Sequence, residues 1–360
     1  MHVILGSLLE NSLQHYSIGF AGAIQMFCVQ VCRCFDFLLA FHVTDLVHNS
    51  QFSCSKVVAV DSSLSVPVDA DMLQQYQREI QIHTSFGEAL AKEFARLGAK
   101  LILSARREAE LERVKAGLSG KNAPNGVMIL PMDLAAGEYA IEQAVQRAES
   151  FFGGSGVYYM VHNAAHERPK TSILETSEES LKATFDVNVL GTITLTRQLA
   201  PFMLKRGRGH FVVMSSAAGK TPAPGQAVYA ASKHAVNGYF HTLRSELAQK
   251  GIKVTVVCPG PIETSTSPSL ENTSMQKKAL EKRVSVTRCV ELTVIATTHG
   301  LKEVWISKQP VLAVMYVMQY IPSLGHHLME KIGPKRLETV KQGGSAYGLH
   351  LLFGRSKKHT

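Results

Sequence analysis

Tyr229 and Lys233 stand four residues apart in a stretch with helical patterning, so they share one helix face, one turn apart. A free phenol has a pKa of about 10, too high to exchange protons well near neutrality. An ammonium group within about 5 Å favours the phenolate. The pair is therefore a candidate general acid/base; its ordinary reading is a surface Tyr–Lys pair. Thirteen residues upstream, Ser216 ends a strand, where a hydroxyl can donate to a substrate carbonyl oxygen or merely cap a turn. Asn188 interrupts an apolar helix face between Val187 and Val189, as a functional amide or as a satisfied core asparagine. Asn163 follows another strand in the run Asn163-Ala164-Ala165, where small residues let backbone approach a ligand. Arg106 and Arg107 follow a further strand with no acid before Glu108. At such a strand end an acidic residue suits a ribose 2′-hydroxyl, whereas arginine suits a 2′-phosphate, so NADP(H) is favoured over NAD; otherwise the two are a basic turn.

These residues need elements to hold them, and from Phe86 onward helix and strand patterns alternate. Leu90, Phe94 and Leu97 recur at helical spacing ahead of Gly98. Leu101-Ile102-Leu103 is a buried-strand run, Val127–Met132 the next strand, and a helix follows through Ala140, Ala144 and Ala148. Val157–Val161 is a strand, a long helix runs from about Glu178 to Lys205, and Phe211–Met214 is a strand. Tyr229–Gln249 is a helix closed by Gly251, and Val254–Val257 is one more strand. Near-continuous apolar strands alternating with helices predict an α/β fold, a doubly wound, mostly parallel sheet covered on both faces. Ligands then sit at the carboxyl ends of the strands.

Composition narrows the class. With 45% hydrophobic and 19% charged residues the chain is globular, not disordered. Six cysteines are too few for a disulfide scaffold. Cys28, Cys32, Cys34 and Cys54 lack zinc-ligand spacing and read as reduced thiols or palmitoylation candidates, so no metal is expected. The net charge of +9 is concentrated at the end: Lys331–Thr360 holds seven Lys or Arg and one acid, Glu338. A basic tail suits anionic lipid or solubility; no basic stripe interleaved with aromatics supports nucleic acid as a partner.

Taken together, these residues resemble the short-chain dehydrogenase/reductase family from about Ser85 to Ser307. The likeness rests on Asp133 after a strand, Asn163-Ala164-Ala165, Asn188, Ser216, Tyr229, Lys233 and the Pro259-Gly260 turn, all in order. The resemblance implies a Rossmann-like fold and an NADP(H)-dependent carbonyl/alcohol oxidoreductase. Tyr229 would exchange the substrate proton, Lys233 hold the nicotinamide ribose, Ser216 orient the substrate oxygen, and Asn188 support a water relay to Lys233. Asp133 would contact adenine, while Pro259, Gly260, Ile262 and Thr264 would lie beside the nicotinamide. Within the family the chain is most similar to membrane-associated steroid- and retinoid-type reductases, through Ala105-Arg106-Arg107, Ser232-Lys233-His234-Ala235 and Lys302-Glu303-Val304-Trp305-Ile306-Ser307. That likeness implies a lipophilic substrate (steroid, retinoid or xenobiotic carbonyl) and association with the endoplasmic reticulum membrane; whether the chain forms a homodimer through its two long helices stays open. Lys357-Lys358-His359-Thr360 also resembles a dilysine retrieval signal for that membrane.

Three segments are expected: a leader at 1–78, the dehydrogenase domain at 79–310, and an apolar segment with a basic tail at 311–360. In the leader, Tyr16–Cys32 is uncharged but contains Gln25 and Gln30, which makes a membrane pass between about Ser17 and Val43 marginal against a loosely ordered segment. Val311–Ile321 is apolar and suits a membrane-facing or lid helix, too short to span.

The pattern breaks at the start of the domain. The family's Gly-rich loop cradles a pyrophosphate at a helix N-terminus. Here Ile80-Gln81-Ile82-His83-Thr84-Ser85-Phe86-Gly87 stands in its place, and only Gly87 matches. Val57–Val60 or Glu79–His83 would replace the first strand, and Glu79–His83 is favoured because it adjoins the helix directly. Two functional readings follow. In one, the shortened loop still binds cofactor and the chain is an enzyme. In the other, it is an isoform or gene-model variant lacking that loop, catalytically inactive and at most a membrane-associated interaction protein. The intact Asn188, Ser216, Tyr229 and Lys233 favour the enzyme.

Overall fold

The computed structural model describes residues 57–59, 78–81, 85–166, 171–263 and 283–341. Their strands are β1 (Val57–Ala59), β2 (Arg78–Gln81), β3 (Leu101–Ala105), β4 (Val127–Pro131), β5 (Tyr159–His162), β6 (Gly209–Met214), β7 (Ile252–Pro259) and β8 (Glu303–Ile306). They form one sheet in the order β1-β8-β7-β6-β5-β2-β3-β4, and every neighbouring pair is parallel. The helices are α1 (Ser85–Arg96), α2 (Glu108–Ala116), α3 (Glu138–Phe151), α4 (Glu178–Phe185), α5 (Thr192–Lys205), α6 (Ala227–Leu247), α7 (Val286–Thr298), α8 (Val311–Tyr320) and α9 (Pro322–Lys341).

The two-residue period of a strand sorts its side chains onto two cores. Leu101 and Leu103 of β3, Val212 and Met214 of β6, and Val304 and Ile306 of β8 pack on one face with Leu90 and Phe94 of α1, Val114 of α2 and Val294 of α7. Ile102, Phe211, Val213 and Trp305 pack on the other with Ile141 of α3, Leu199 of α5, Phe240 of α6 and Met315 of α8. Both faces are covered, so the strands tolerate unbroken apolar runs. This is the doubly wound, Rossmann-like α/β fold that the alternating pattern predicts. Helix ends follow local chemistry: Gly98 takes a left-handed φ of 81°, and the Ala99 N–H reaches back to the Phe94 carbonyl at 3.0 Å, a Schellman closure of α1.

The first strand of the domain is β2. It pairs with β3 on one side and β5 on the other, so it occupies the sheet centre where the chain reverses direction. Val57–Ala59, the other candidate, instead adds an edge strand beside β8. Residues 82–84 connect β2 to α1, a connection too short for a full Gly-rich loop. In sequence, the first strand and the Gly-rich loop are both degenerate.

The long helix expected over 178–205 is interrupted. Between α4 and α5 the chain makes a π-helical turn, Asp186–Gly191, that carries Asn188. Such single π turns re-aim the groups they carry and are frequent at functional sites. The turn packs tightly, since a Cβ at Gly191 would stand 2.3 Å from the Leu134 carbonyl oxygen. The expected membrane pass near Ser17–Val43 lies outside the described residues. Among those described, no helix is long and apolar enough to cross a membrane.

Candidate functional site

Strand β6, the turn after it and helix α6 carry Ser216, Tyr229 and Lys233, the residues expected to do the chemistry. Two residues past the end of β6, Ser216 caps a short 3₁₀ turn, Ala217–Gly219, its Oγ accepting from the Ala218 N–H at 3.1 Å. That acceptor bond leaves the hydroxyl proton for another partner. Tyr229 and Lys233 both lie on α6. Lys233 is buried, donates from Nζ to the Met214 carbonyl at 2.8 Å, and stands 5.6 Å from the centre of the Tyr229 ring. The last carbonyl of β6 thus anchors the lysine beside the tyrosine, and the same strand end leads into Ser216.

Asn188 reaches this group through a residue the sequence reading did not assign. Its side-chain amide accepts from the His166 N–H at 2.6 Å and donates to the His166 carbonyl at 3.2 Å. It also donates to Ser232 Oγ at 3.0 Å, and Ser232 in turn donates to the Tyr229 carbonyl at 2.7 Å. Asn188 is 2% exposed and fully engaged, so the π turn is bonded to the helix that carries the tyrosine. The i, i+3 spacing of Tyr229 and Ser232 on a helix was the available signal for that link. The Met214 carbonyl and the His166 backbone left no signal in residue type.

Cofactor candidates gather at the carboxyl ends of β3, β4 and β5. A crevice there is lined by Ser104, Arg106, Met132, Asp133, Ala164 and Val187, among others. Asp133 is braced by its Oδ1 accepting from the Ala135 N–H at 3.0 Å. Asn163, 7% exposed, directly precedes the lining residue Ala164. Ser104 Oγ is buried without a protein partner, an orphan polar atom on the wall of this crevice. An adenosine offers hydroxyls and ring nitrogens, so the orphan, Asp133 and Arg106 fit the adenosine half of a nicotinamide dinucleotide. Arg107 is exposed just before α2 and gives that helix no side-chain cap.

The other expected cofactor contacts lie two strands away. Pro259 ends β7, and the Gly260 N–H donates to the Ile306 carbonyl at 2.9 Å. A Cβ at Gly260 would stand 2.0 Å from Ser307 Oγ, which is why glycine is required beside β8. Ile262 forms an isolated parallel bridge with Val284. Thr264 lies outside the described residues. Gly87 is buried in the first turn of α1, where it is the one residue matching a Gly-rich loop.

Competing acid/base groups are disarmed by burial. His162, just before Asn163, is pushed down to about 3 by desolvation and stays neutral near pH 7. The Cys258 thiol beside Pro259 is pushed up to about 12 by burial and stays protonated.

Comparisons with known proteins agree with this geometry. The family model for short chain dehydrogenase matches residues 83–275, beginning just after β2. Human dehydrogenase/reductase SDR family member 7 is 36% identical over 283 residues, covering 76% of this chain and 82% of its own. The mouse protein of the same name is 34% identical over 266 residues, covering 72% and 78%. Among solved structures, a short-chain dehydrogenase from Burkholderia cenocepacia in complex with NADP superposes with a TM-score of 0.56 at 21% identity, covering 71% of this chain and 97% of that one. A short-chain dehydrogenase from Streptomyces avermitilis superposes with a TM-score of 0.58 at 23% identity, covering 74% and 97%. The chain belongs to the short-chain dehydrogenase family, whose fold implies a nicotinamide cofactor.

Proposed function

We propose that this chain is an NADP(H)-dependent oxidoreductase that interconverts a carbonyl and an alcohol on a lipophilic small molecule of the steroid, retinoid or xenobiotic-carbonyl kind. The observation that carries the proposal is the buried Lys233 ammonium, 5.6 Å from the Tyr229 ring and fixed to the strand end that leads to Ser216. A nearby cation favours the tyrosinate, which makes the hydroxyl a better proton donor. In reduction Tyr229 gives its hydroxyl proton to the carbonyl oxygen; in oxidation it takes the alcohol proton. Ser216, with Oγ already held by the Ala218 N–H, directs its own proton at the same oxygen and opposes the developing charge. Asn188 ties the π turn to α6 through Ser232 and supports proton resupply toward Lys233.

Asp133 and Arg106 would hold the adenosine end of the cofactor, with Arg106 and Arg107 meeting a 2′-phosphate, and Gly87 would lie near the pyrophosphate. The backbone at Asn163 would pass close to the ribose side. Lys233 would hold the nicotinamide ribose, and Pro259, Gly260, Ile262 and Thr264 would flank the ring. The bound nicotinamide supplies or accepts the hydride.

A membrane setting, that of the endoplasmic reticulum, fits the end of the chain. Helix α8 has no charged residue and ends in the exposed Tyr320, Leu324 is exposed at the start of α9, and α9 carries Lys331, Lys335 and Arg336 along with Glu330 and Glu338. Homodimerisation through the long helices would use apolar side chains such as the exposed Phe202 of α5 and Leu190 of the π turn before it. The test is NADPH oxidation by the purified chain in detergent with a panel of lipophilic ketones and aldehydes. The proposal expects turnover with NADPH and slower turnover with NADH; turnover with neither contradicts it.

A further inference from the structure

Glu303, the first residue of β8, is 5% exposed, and it carries three polar partners. Lys220 Nζ lies 2.9 Å from Oε1 and 3.0 Å from Oε2, His241 Nε2 lies 2.9 Å from Oε2, and the Trp305 indole N–H donates to Oε1. Burial alone would raise this carboxyl, but His241, Lys220 and Trp305 hold it down at about 2. The Lys220 side chain is only 12% exposed and its ammonium stands 5.9 Å from the centre of the Trp305 ring.

A lysine in a loop ordinarily extends into water, and an exposed ion pair would contribute little. Burying this one costs desolvation, so its gain has to be sought in geometry rather than in stability. Its place in the chain is informative. Lys220 closes the turn that Ser216 opens: the Gly219 N–H donates to the Ser216 carbonyl at 2.9 Å, and the Lys220 and Thr221 N–H groups donate to the Ala217 carbonyl at 3.0 and 2.9 Å. From the other side, Asn237 Nδ2, one helical turn beyond Lys233, donates to the Gly219 carbonyl at 2.9 Å. The turn is therefore gripped at its end by β8, two strands away, and at its middle by the helix that carries Tyr229 and Lys233.

We propose that the Lys220–Glu303 ion pair, with Asn237 at Gly219, is a positioning clamp that sets the Ser216 hydroxyl for the carbonyl reaction. All three lie outside the residues proposed above to meet substrate or cofactor. The proposal rests on the role given to Ser216 above.

The test uses the full chain and the paired substitution Lys220→Met with Glu303→Gln, which removes both charges together and avoids leaving a lone buried carboxylate. Amide hydrogen exchange at Gly219, Lys220 and Thr221 should accelerate by about tenfold or more while β6 stays protected, and Lys220→Arg alone should keep wild-type protection. Unchanged exchange at those three amides overturns the clamp. Acceleration spread evenly over β6 and the turn also overturns it, because the pair would then serve global stability only. In turnover, the paired substitution should lower kcat by about tenfold with the NADPH KM unchanged, and should add less than about twofold in a Ser216→Ala background. Equal losses in both backgrounds overturn the link to Ser216. Should Ser216→Ala itself leave turnover intact, the reading of Ser216 fails while the exchange result still decides the clamp.

Discussion

Lys233 donates to the Met214 carbonyl at 2.8 Å, and this one bond ties the helix bearing Tyr229 to the strand that delivers Ser216. It fixes where the ammonium stands before any ligand arrives. Replacing Tyr229 by Phe keeps the ring and removes only the hydroxyl, so kcat should fall by about 10²–10⁴-fold, the range for a lost general acid, with NADPH affinity within about threefold. Lys233→Met should lower both turnover and NADPH affinity. Single-turnover kinetics alongside cofactor titration separates the two; near-normal turnover in Tyr229→Phe removes Tyr229 from the proton-transfer role.

Arg106 lines the crevice at the ends of β3 and β4 and Arg107 follows it in the chain, both exposed to solvent. Charge-assisted bonds to a 2′-phosphate are worth about 1.5–3 kcal/mol. The double substitution Arg106→Ala with Arg107→Ala should therefore weaken NADPH by about ten- to a hundredfold and leave NADH within about threefold. Equal weakening of both cofactors would show that the arginines do not read the 2′-phosphate.

Two buried histidines make the fold acid-sensitive. Burial pushes His162 and His210 down to about 3, from an ordinary value of 6.5. Between those values the unfolded chain binds protons that the folded chain refuses, so stability falls as pH drops below 6.5, by up to about 1.4 kcal/mol per pH unit for each histidine. Glu303 and Glu88, both held at about 2, add their loss only at lower pH, below the ordinary carboxylate value of 4.5. Urea unfolding at pH 6 and pH 5 should show this slope, and His210→Gln, which can still bond Thr255, should reduce it. A slope unchanged in that variant would count against the assignment.

The π turn that carries Asn188 depends on the absence of a side chain at Gly191. Gly191→Ala would place a carbon against the Leu134 carbonyl, and overpacking of this kind costs about 1–3 kcal/mol. Leu134 also lines the crevice that holds Asp133 and Arg106. The variant should melt at lower temperature and bind NADPH more weakly; a wild-type melting temperature would show that the turn adjusts freely.

Sheet, layers and most helix ends were legible because runs such as Leu101-Ile102-Leu103 and the glycine after α1 act locally. Tyr229, Lys233 and Ser216 were legible as well, since helix spacing and strand ends decide what faces what. The first strand was harder to read: Arg78-Glu79-Ile80-Gln81 is polar in three of four positions, and its central place comes from pairing with β3 and β5, which no local pattern encodes. The π turn was hidden for the same reason, because the close approach of Gly191 to Leu134 is a tertiary contact. Helix α2 leaves little pattern in the sequence because only Leu111 and Val114 of its nine residues are buried. The buried grip of Glu303 on Lys220 joins residues 83 apart and leaves no trace in either neighbourhood.

On the proposed function, a chain with only residues 82–84 between β2 and α1 still holds NADP(H). Titration calorimetry of the full chain in detergent with NADPH, and with NADH for comparison, tests it most directly. Micromolar NADPH affinity with weaker NADH is expected. No heat of binding from either cofactor would contradict it and would favour a catalytically inactive member of the family.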